Sequence, residues 1–256
     1  MSRKKRKSLT AINYNAGNIR WYQKELLAEI RSMNDEVSRE VRQIILNNPL
    51  ASDLAMDANP VDVFRSAIEA LARKWVQRFI AKAFPVSDEL MKKTESSVDR
   101  GLLASARKAA ITINMQWTDA MLQKRDAIIA ENVSLIRSIP EKYFTEVEGM
   151  VYRAVARGGD RKLLADEIEH NFGKRYGITR RRAEFIARDQ VRKATSALSN
   201  TRQQAAGIKK GIWIHSGGSN EPRKKHVHAN GQEFDLDKGL PVGVNRHGFN
   251  RHLRVI

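Results

Sequence analysis

The stretch Trp213–Phe234, WIHSGGSNEPRKKHVHANGQEF, is the point at which the helical periods of the chain give way to another local grammar. It is entered through a run of strand type, Ile208 to His215, with Ile208, Ile212 and Ile214 on one face and Trp213 on the other. Ser216-Gly217-Gly218-Ser219-Asn220 has the chemistry of a turn, since glycine supplies positive φ and the small polar side chains hold local hydrogen bonds. Pro222 can open a short helical turn and Gly231 can close it. On such a turn Arg223, His226 and Asn230 share one face and His228 points elsewhere. Gln232–Asp235 then reads as a second strand.

Outward from this stretch the chain is helical. Leu26, Ile30, Met33, Val37, Val41 and Ile45 form one apolar stripe from Trp21 to about Asn47. Asn59-Pro60 opens the next helix, with Asn59 as N-cap and Asp62 in its first turn. Phe64, Ile68, Leu71, Trp75 and Phe79 line its face up to Phe84-Pro85. Such a stripe reads as packing against a neighbouring helix rather than as an external docking surface. Residues 99–139 are helical, with a break near Thr112-Ile113-Asn114 and an end at Pro140. Tyr143, Val147, Val151 and Val155 follow, stopped by Gly158-Gly159. Asp160 caps a shorter helix carrying Leu164, Ile168 and Phe172, closed by Gly173. Thr179 starts the last long helix, whose stripe is Ala187, Val191, Ala194, Leu198 and Ala205 up to Gly207.

The fold class expected is a mainly α N-terminal helical arm followed by a compact α+β C-terminal domain with a small sheet. Residues 1–20 read as a basic disordered tail, 21–130 as the arm and 131–256 as the C-terminal domain. At 256 residues the chain can bury a real core. No apolar run approaches the roughly 20 residues that cross a bilayer, and MSRKKRK is not followed by a secretory h-region. Without cysteine there are no disulfides and no thiolate metal sites. A soluble intracellular product is the expectation.

The formal charge of +17 is unevenly placed. Residues 151–256 hold 22 Lys and Arg against 10 Asp and Glu, whereas residues 1–150 hold 24 against 19, five of those bases lying in Arg3–Lys7. A basic C-terminal half favours a polyanionic partner, with DNA ahead of membrane because no amphipathic anchor with aromatic edges accompanies it.

Two chemistries compete with a structural reading of the Trp213–Phe234 stretch. Five of the six histidines, His215, His226, His228, His247 and His252, fall late in the chain. Zinc wants three or four converging ligands, usually with Cys, Asp or Glu among them, and a helical turn points His226 and His228 apart. No metal and no cofactor are therefore assigned. A metal-dependent nuclease would need a carboxylate or histidine cluster and a general base. Nearby acids are Glu221, Glu233, Asp235 and Asp237, but the last three alternate as the solvated face of an edge strand does. No nucleophile–base pair can be argued from spacing, and Gly217-Gly218 lacks the lysine and helix of a phosphate loop. No catalytic residue is assigned. The economical reading is a satisfied polar network built on Trp213, His215, Gly217, Glu221, Arg223, His226, Asn230 and Gly231.

That pattern is similar to a known family. HSGGSNEPR (215–223), then His226, then Asn230-Gly231 and an aromatic, resembles the C-terminal domain of phage Mu protein F-like minor head proteins, also called SPP1-type head morphogenesis proteins. RAEFIARDQVRKATSALSNTRQQAAGIKKGIW (182–213) resembles that domain's helix and strand, and IRSIPEKYFTEVEGMVYRAVARGGDRKLLADEI (136–168) the helices before it. The resemblance covers roughly residues 130 to 256. The family usually closes with Asn-Cys-Arg-Cys, where this chain has Asn250-Arg251-His252-Leu253, so no role of those cysteines carries over. The resemblance implies a structural minor capsid protein acting early in head assembly, in few copies, inside the head of a tailed phage or prophage. It implies the portal protein and a scaffold or major capsid protein as partners, with the periodic N-terminal stripes as docking helices.

The C-terminal bases Arg180, Arg181, Arg182, Lys209, Lys210, Lys224, Lys225, Arg251 and Arg254 are scattered, and aromatic residues are sparse among them. Arg180–Arg182 at a helix start would oppose the dipole and so hint at an external anion. Phosphate contacts without base readout are what remains, giving weak, salt-sensitive and non-specific binding of duplex DNA.

Overall fold

A computed structural model describes residues 8–47, 60–157, 161–214, 224–236, 238 and 253–255. Four long helices dominate these residues: α1 (Ala16–Asn47), α2 (Pro60–Ala109), α3 (Asp119–Arg157) and α4 (Arg161–Ala205). Strand β1 (Lys210–Trp213), the short helix α5 (Lys224–His228), β2 (Glu233–Asp235) and β3 (Leu253–Val255) complete them. Both β2 and β3 pair antiparallel with β1, giving a sheet in the order β2-β1-β3. The chain is thus mainly helical with one small antiparallel sheet, as the sequence indicates.

Where the helices stop differs from expectation, and the reason is packing. Pro85 lies inside α2 and Pro140 inside α3, rather than ending those helices. A proline removes one backbone hydrogen bond, yet Phe79 and Ala83 before Pro85, and Leu90 and Met91 after it, are all fully buried. Likewise Ile136 and Ile139 precede Pro140, and Tyr143 and Val147 follow it, with none exposed beyond 2%. Gly173 and Gly177 are interior to α4, held by buried Phe172 and by Thr179, whose hydroxyl donates to the Arg175 carbonyl at 3.0 Å. Local stop signals of about 1–3 kcal/mol each are outweighed where both flanks bury large side chains.

True ends carry their own geometry. α4 terminates at Gly207, φ +77°, where Gly207 N–H donates to Gln204 O (2.9 Å) and Ile208 N–H to Gln203 O (3.0 Å), a Schellman closure. α2 ends by the same pair of bonds, Ala110 N–H to Arg107 O and Ile111 N–H to Ala106 O, but with alanine in the left-handed position, φ +51°. The break expected near Thr112–Asn114 is the extended segment that follows.

The described chain groups into two compact units, and neither follows chain order. One comprises residues 1–19, 88–130 and 188–256, the other 20–87 and 131–187, so each long helix contributes to both. The contacts are therefore not divided into an arm up to residue 130 and a domain after it. Residues 8–20 are not a tail: Leu9 is 1% exposed, Thr10 N–H donates to the Ser105 hydroxyl at 2.7 Å, and α1 begins at Ala16. Residues 1–7 lie outside the described residues.

In the unit of residues 20–87 and 131–187, the α1 stripe Leu26–Ile45 and the α2 stripe Phe64–Phe79 are buried throughout. Tyr143, Val147, Val151, Ile168 and Phe172 bury the faces of α3 and α4. Tyr22 donates to Asn132 Oδ1 (2.9 Å) and Tyr143 to Asn34 Oδ1 (3.1 Å), which satisfies polar groups inside that core. Burial pushes both phenols well above their usual range. Stripes used up in this way are not free to dock on a portal or scaffold.

Candidate functional site

The Trp213–Phe234 stretch belongs to the other unit, and its described part is a miniature α/β assembly. Trp213 from β1, Ala229 after α5 and Phe234 from β2 join Leu9, Leu102 and Ala106 in one apolar cluster. Ile12, Ile111, Ile113, Met115, Ile208 and Leu236 pack around it. The inward face of β1 is thus Gly211 and Trp213, while Ile214 is 38% exposed. Gly211 admits the Phe234 ring across the β1–β2 pair, where a Cβ would stand 3.1 Å from the ring edge.

The turn after α5 is closed as the sequence indicates. Gly231 adopts φ +83°, its N–H donates to Trp213 O (2.7 Å), and Trp213 N–H returns a bond to Gln232 O (2.9 Å). Asn230 sits in this turn immediately before Gly231, exposed, with its N–H on Val227 O at 3.0 Å. His215, Gly217, Glu221 and Arg223 lie outside the described residues, as does the side chain of His226. His228 is exposed. Among the described residues no three His, Asp or Glu are grouped so as to hold a metal ion.

Basic residues divide between the two units. Lys209, Lys210, Lys224 and Lys225 are exposed beside the sheet and on α5. Lys210 also reaches Glu233 across the strands at 2.5 Å, an exposed pair that leaves the ammonium accessible. Glu233 and Asp235 flank buried Phe234 on an edge strand, as their alternation implies. Arg180, Arg181 and Arg182 belong to the other unit and lie mid-helix in α4, so the argument from an opposed helix start does not apply. Arg180 pairs with Glu184 at 2.8 Å and Arg182 donates to the Ser138 hydroxyl at 3.0 Å, while Arg181 is exposed. Arg251 lies outside the described residues; Arg254 is in β3.

A residue that sequence reasoning passed over ties this unit together. Arg202 is 3% exposed and donates to Met115 O (2.6 Å), Gln116 O (3.3 Å) and Asp99 Oδ2 (2.9 Å). Its guanidinium also lies 4.6 Å from the Trp117 ring centre. Burial pushes the Asp99 carboxyl above its usual range, against the opposing pull of Arg202. The signal was present: Arg202 is four residues beyond Leu198, so the buried stripe of α4 continues through it and not through exposed Ala205.

Residues 145–255 match the family described as phage Mu protein F like protein. This Mu F-like region begins within α3 and takes in α4, all three described strands and α5, close to the span over which the sequence resemblance runs. The chain is also 28% identical over 244 residues to an uncharacterized protein of Haemophilus influenzae, an alignment covering 92% of this chain and 52% of that protein. It therefore spans about half the length of the curated relative it matches. No solved structure matches it. No described helix is long and apolar enough to cross a membrane.

Proposed function

We propose that this chain is a structural head morphogenesis protein of a tailed phage or prophage, a minor capsid component rather than an enzyme. The observation that carries the reading is the match of residues 145–255 to the Mu protein F-like family. On this reading the protein resides inside the phage head, after assembly in the host cytoplasm, next to the portal protein and a scaffold or major capsid protein.

The sheet-bearing unit faces packaged duplex DNA. Lys209, Lys224 and Lys225, all exposed, and Lys210, exposed although paired with Glu233, support this: they offer ammonium groups to phosphates, and no described helix of this unit is shaped to read a groove. Such binding releases counterions, so log K falls against log salt with a slope near −0.9 per phosphate neutralised. Charge reversal at Lys224 and Lys225 should flatten the slope by about 2 while leaving the far-ultraviolet circular dichroism unchanged. Affinity insensitive to salt between about 50 and 200 mM would refute the DNA-facing role. The competing reading, a metal-dependent nuclease, predicts plasmid cutting with Mg²⁺ or Mn²⁺ that is lost in His226→Ala; the structural role predicts intact plasmid.

A further inference from the structure

We propose that the exposed face of α4 bearing Lys174, Ile178, Arg181 and Phe185, with the groove beside it, docks an acidic amphipathic helix of a partner protein. All four residues belong to the same compact unit. At 3.6 residues per turn they fall within an arc of about 60°. Every one is exposed, Ile178 at 46% and Phe185 at 62%. Single exposed apolar residues are ordinary. Here two large ones stand seven residues apart, about 10 Å along one ridge, which is the repeat that an apposed helix presents.

Alongside the ridge runs an open groove of about 770 Å³ between α3 and α4. Its walls include Met150, Arg153, Glu167, Lys174, Arg175 and Ile178, so Ile178 belongs to ridge and groove alike. The Arg153 guanidinium lies over Gly149, where a Cβ would approach it to 3.1 Å. Arg175 is held by Glu146 at 3.1 Å and Arg180 by Glu184 at 2.8 Å. Lys174 and Arg181 have no carboxylate partner among the described residues. The face therefore alternates two exposed apolar side chains with two cations that have no carboxylate partner among the described residues, and Glu167 lines the groove beside it.

Charge complementarity selects the occupant. A helix with leucines at positions i, i+4, i+7 and i+11 and glutamates beside them would cover Ile178 and Phe185 and set carboxylates against Lys174 and Arg181. Duplex DNA answers the cations, but its phosphates give nothing to an exposed phenylalanine unless the ring is wedged between base steps. This assignment goes beyond the head-protein reading and stands without it, and it places the protein partner on a different unit from the lysines assigned to DNA.

The test is fluorescence anisotropy of the full chain with a labelled peptide of that pattern, about 18 residues long so that it holds a helix. Saturable binding is expected, weakened about tenfold or more in Ile178→Ser/Phe185→Ser and again in Lys174→Glu/Arg181→Glu. A peptide with lysine in place of glutamate should not bind, and Lys224→Glu/Lys225→Glu should have no effect. Absence of saturable binding, equal binding by both variants, or equal binding of the lysine peptide would overturn the proposal. So would a Phe185→Ser variant that lost affinity for duplex DNA, which would assign the face to nucleic acid. Should the double serine variant fail to fold, the charge-reversal pair, made wholly at exposed positions, decides alone.

Discussion

Replacing Arg202 with methionine keeps most of the side-chain volume and removes all of its donors. In the native chain the guanidinium satisfies two carbonyls and one carboxylate oxygen and lies against the Trp117 ring, almost wholly out of water. Breaking one partner out of a buried ion pair typically costs about 3–5 kcal/mol. Two features reduce this. The Asp99 side chain is 30% exposed, and Gln116 is exposed, so water can reach the carboxylate and one freed carbonyl. Against that, Asp99 Oδ1 already lacks a hydrogen-bond partner among the described residues, so the stranded carboxylate keeps most of its desolvation. A net loss of about 2–3 kcal/mol follows. It is read as a lower urea midpoint at unchanged slope. Asp99→Asn in the Arg202→Met background should then be nearly neutral, giving a coupling energy of about 1 kcal/mol or more in the double-mutant cycle. A loss under about 1 kcal/mol with additive single mutants would refute the view that Arg202 holds this unit together.

Three further substitutions probe other parts of the molecule. Ala110→Gly relieves a left-handed alanine whose side chain is exposed, and should stabilise the chain by about 1 kcal/mol in the same urea assay; destabilisation would show that φ +51° carries no strain. Phe234→Ala should cost about 3 kcal/mol or more and uncouple the sheet, seen as loss of hydrogen-exchange protection at the Trp213 and Gly231 amides with α1 and α3 unaffected. Glu29, 5% exposed, is pushed up by burial but held lower still by hydrogen bonds from Arg78 and Lys82, so its carboxyl ends below the ordinary value of 4.5. The unfolded chain then takes up its proton first, and stability present above about pH 4.5 is lost as pH falls through the folded value. Glu29→Gln should lower stability by about 1 kcal/mol at pH 7 and make the acid limb shallower; an unchanged limb would contradict the pairing.

Helix faces were legible because burial in a helix leaves a period, and the α1 and α2 stripes are buried residue for residue. The strand at 233–235 and the turn at Gly231 were legible for the same local reasons. Helix ends were not. Pro85, Pro140 and Gly173 carry the local marks of termini, and only the apolar flanks on both sides reveal that packing overrides them. The grouping into units was equally hidden, since it depends on which helix segments meet, and no period encodes that. Of the candidate site, the apolar anchors Trp213 and Phe234 and the exposed lysines were readable from alternation and charge. Arg202 was missed because a charged residue on an apolar stripe reads as the end of that stripe. In α4 it is the continuation, made possible by the Asp99 carboxylate and two loop carbonyls that lie 86 to 103 residues away in sequence.

The role proposed for the chain is that of a built-in component of a phage head. Mass spectrometry of purified DNA-free heads and mature virions from the phage or prophage that encodes it tests this most directly. Peptides of the chain are expected in DNA-free heads, at few copies per particle and retained after a high-salt wash that strips proteins held only by DNA. Its absence from both particle types, with the protein recovered free in the lysate, would contradict that role.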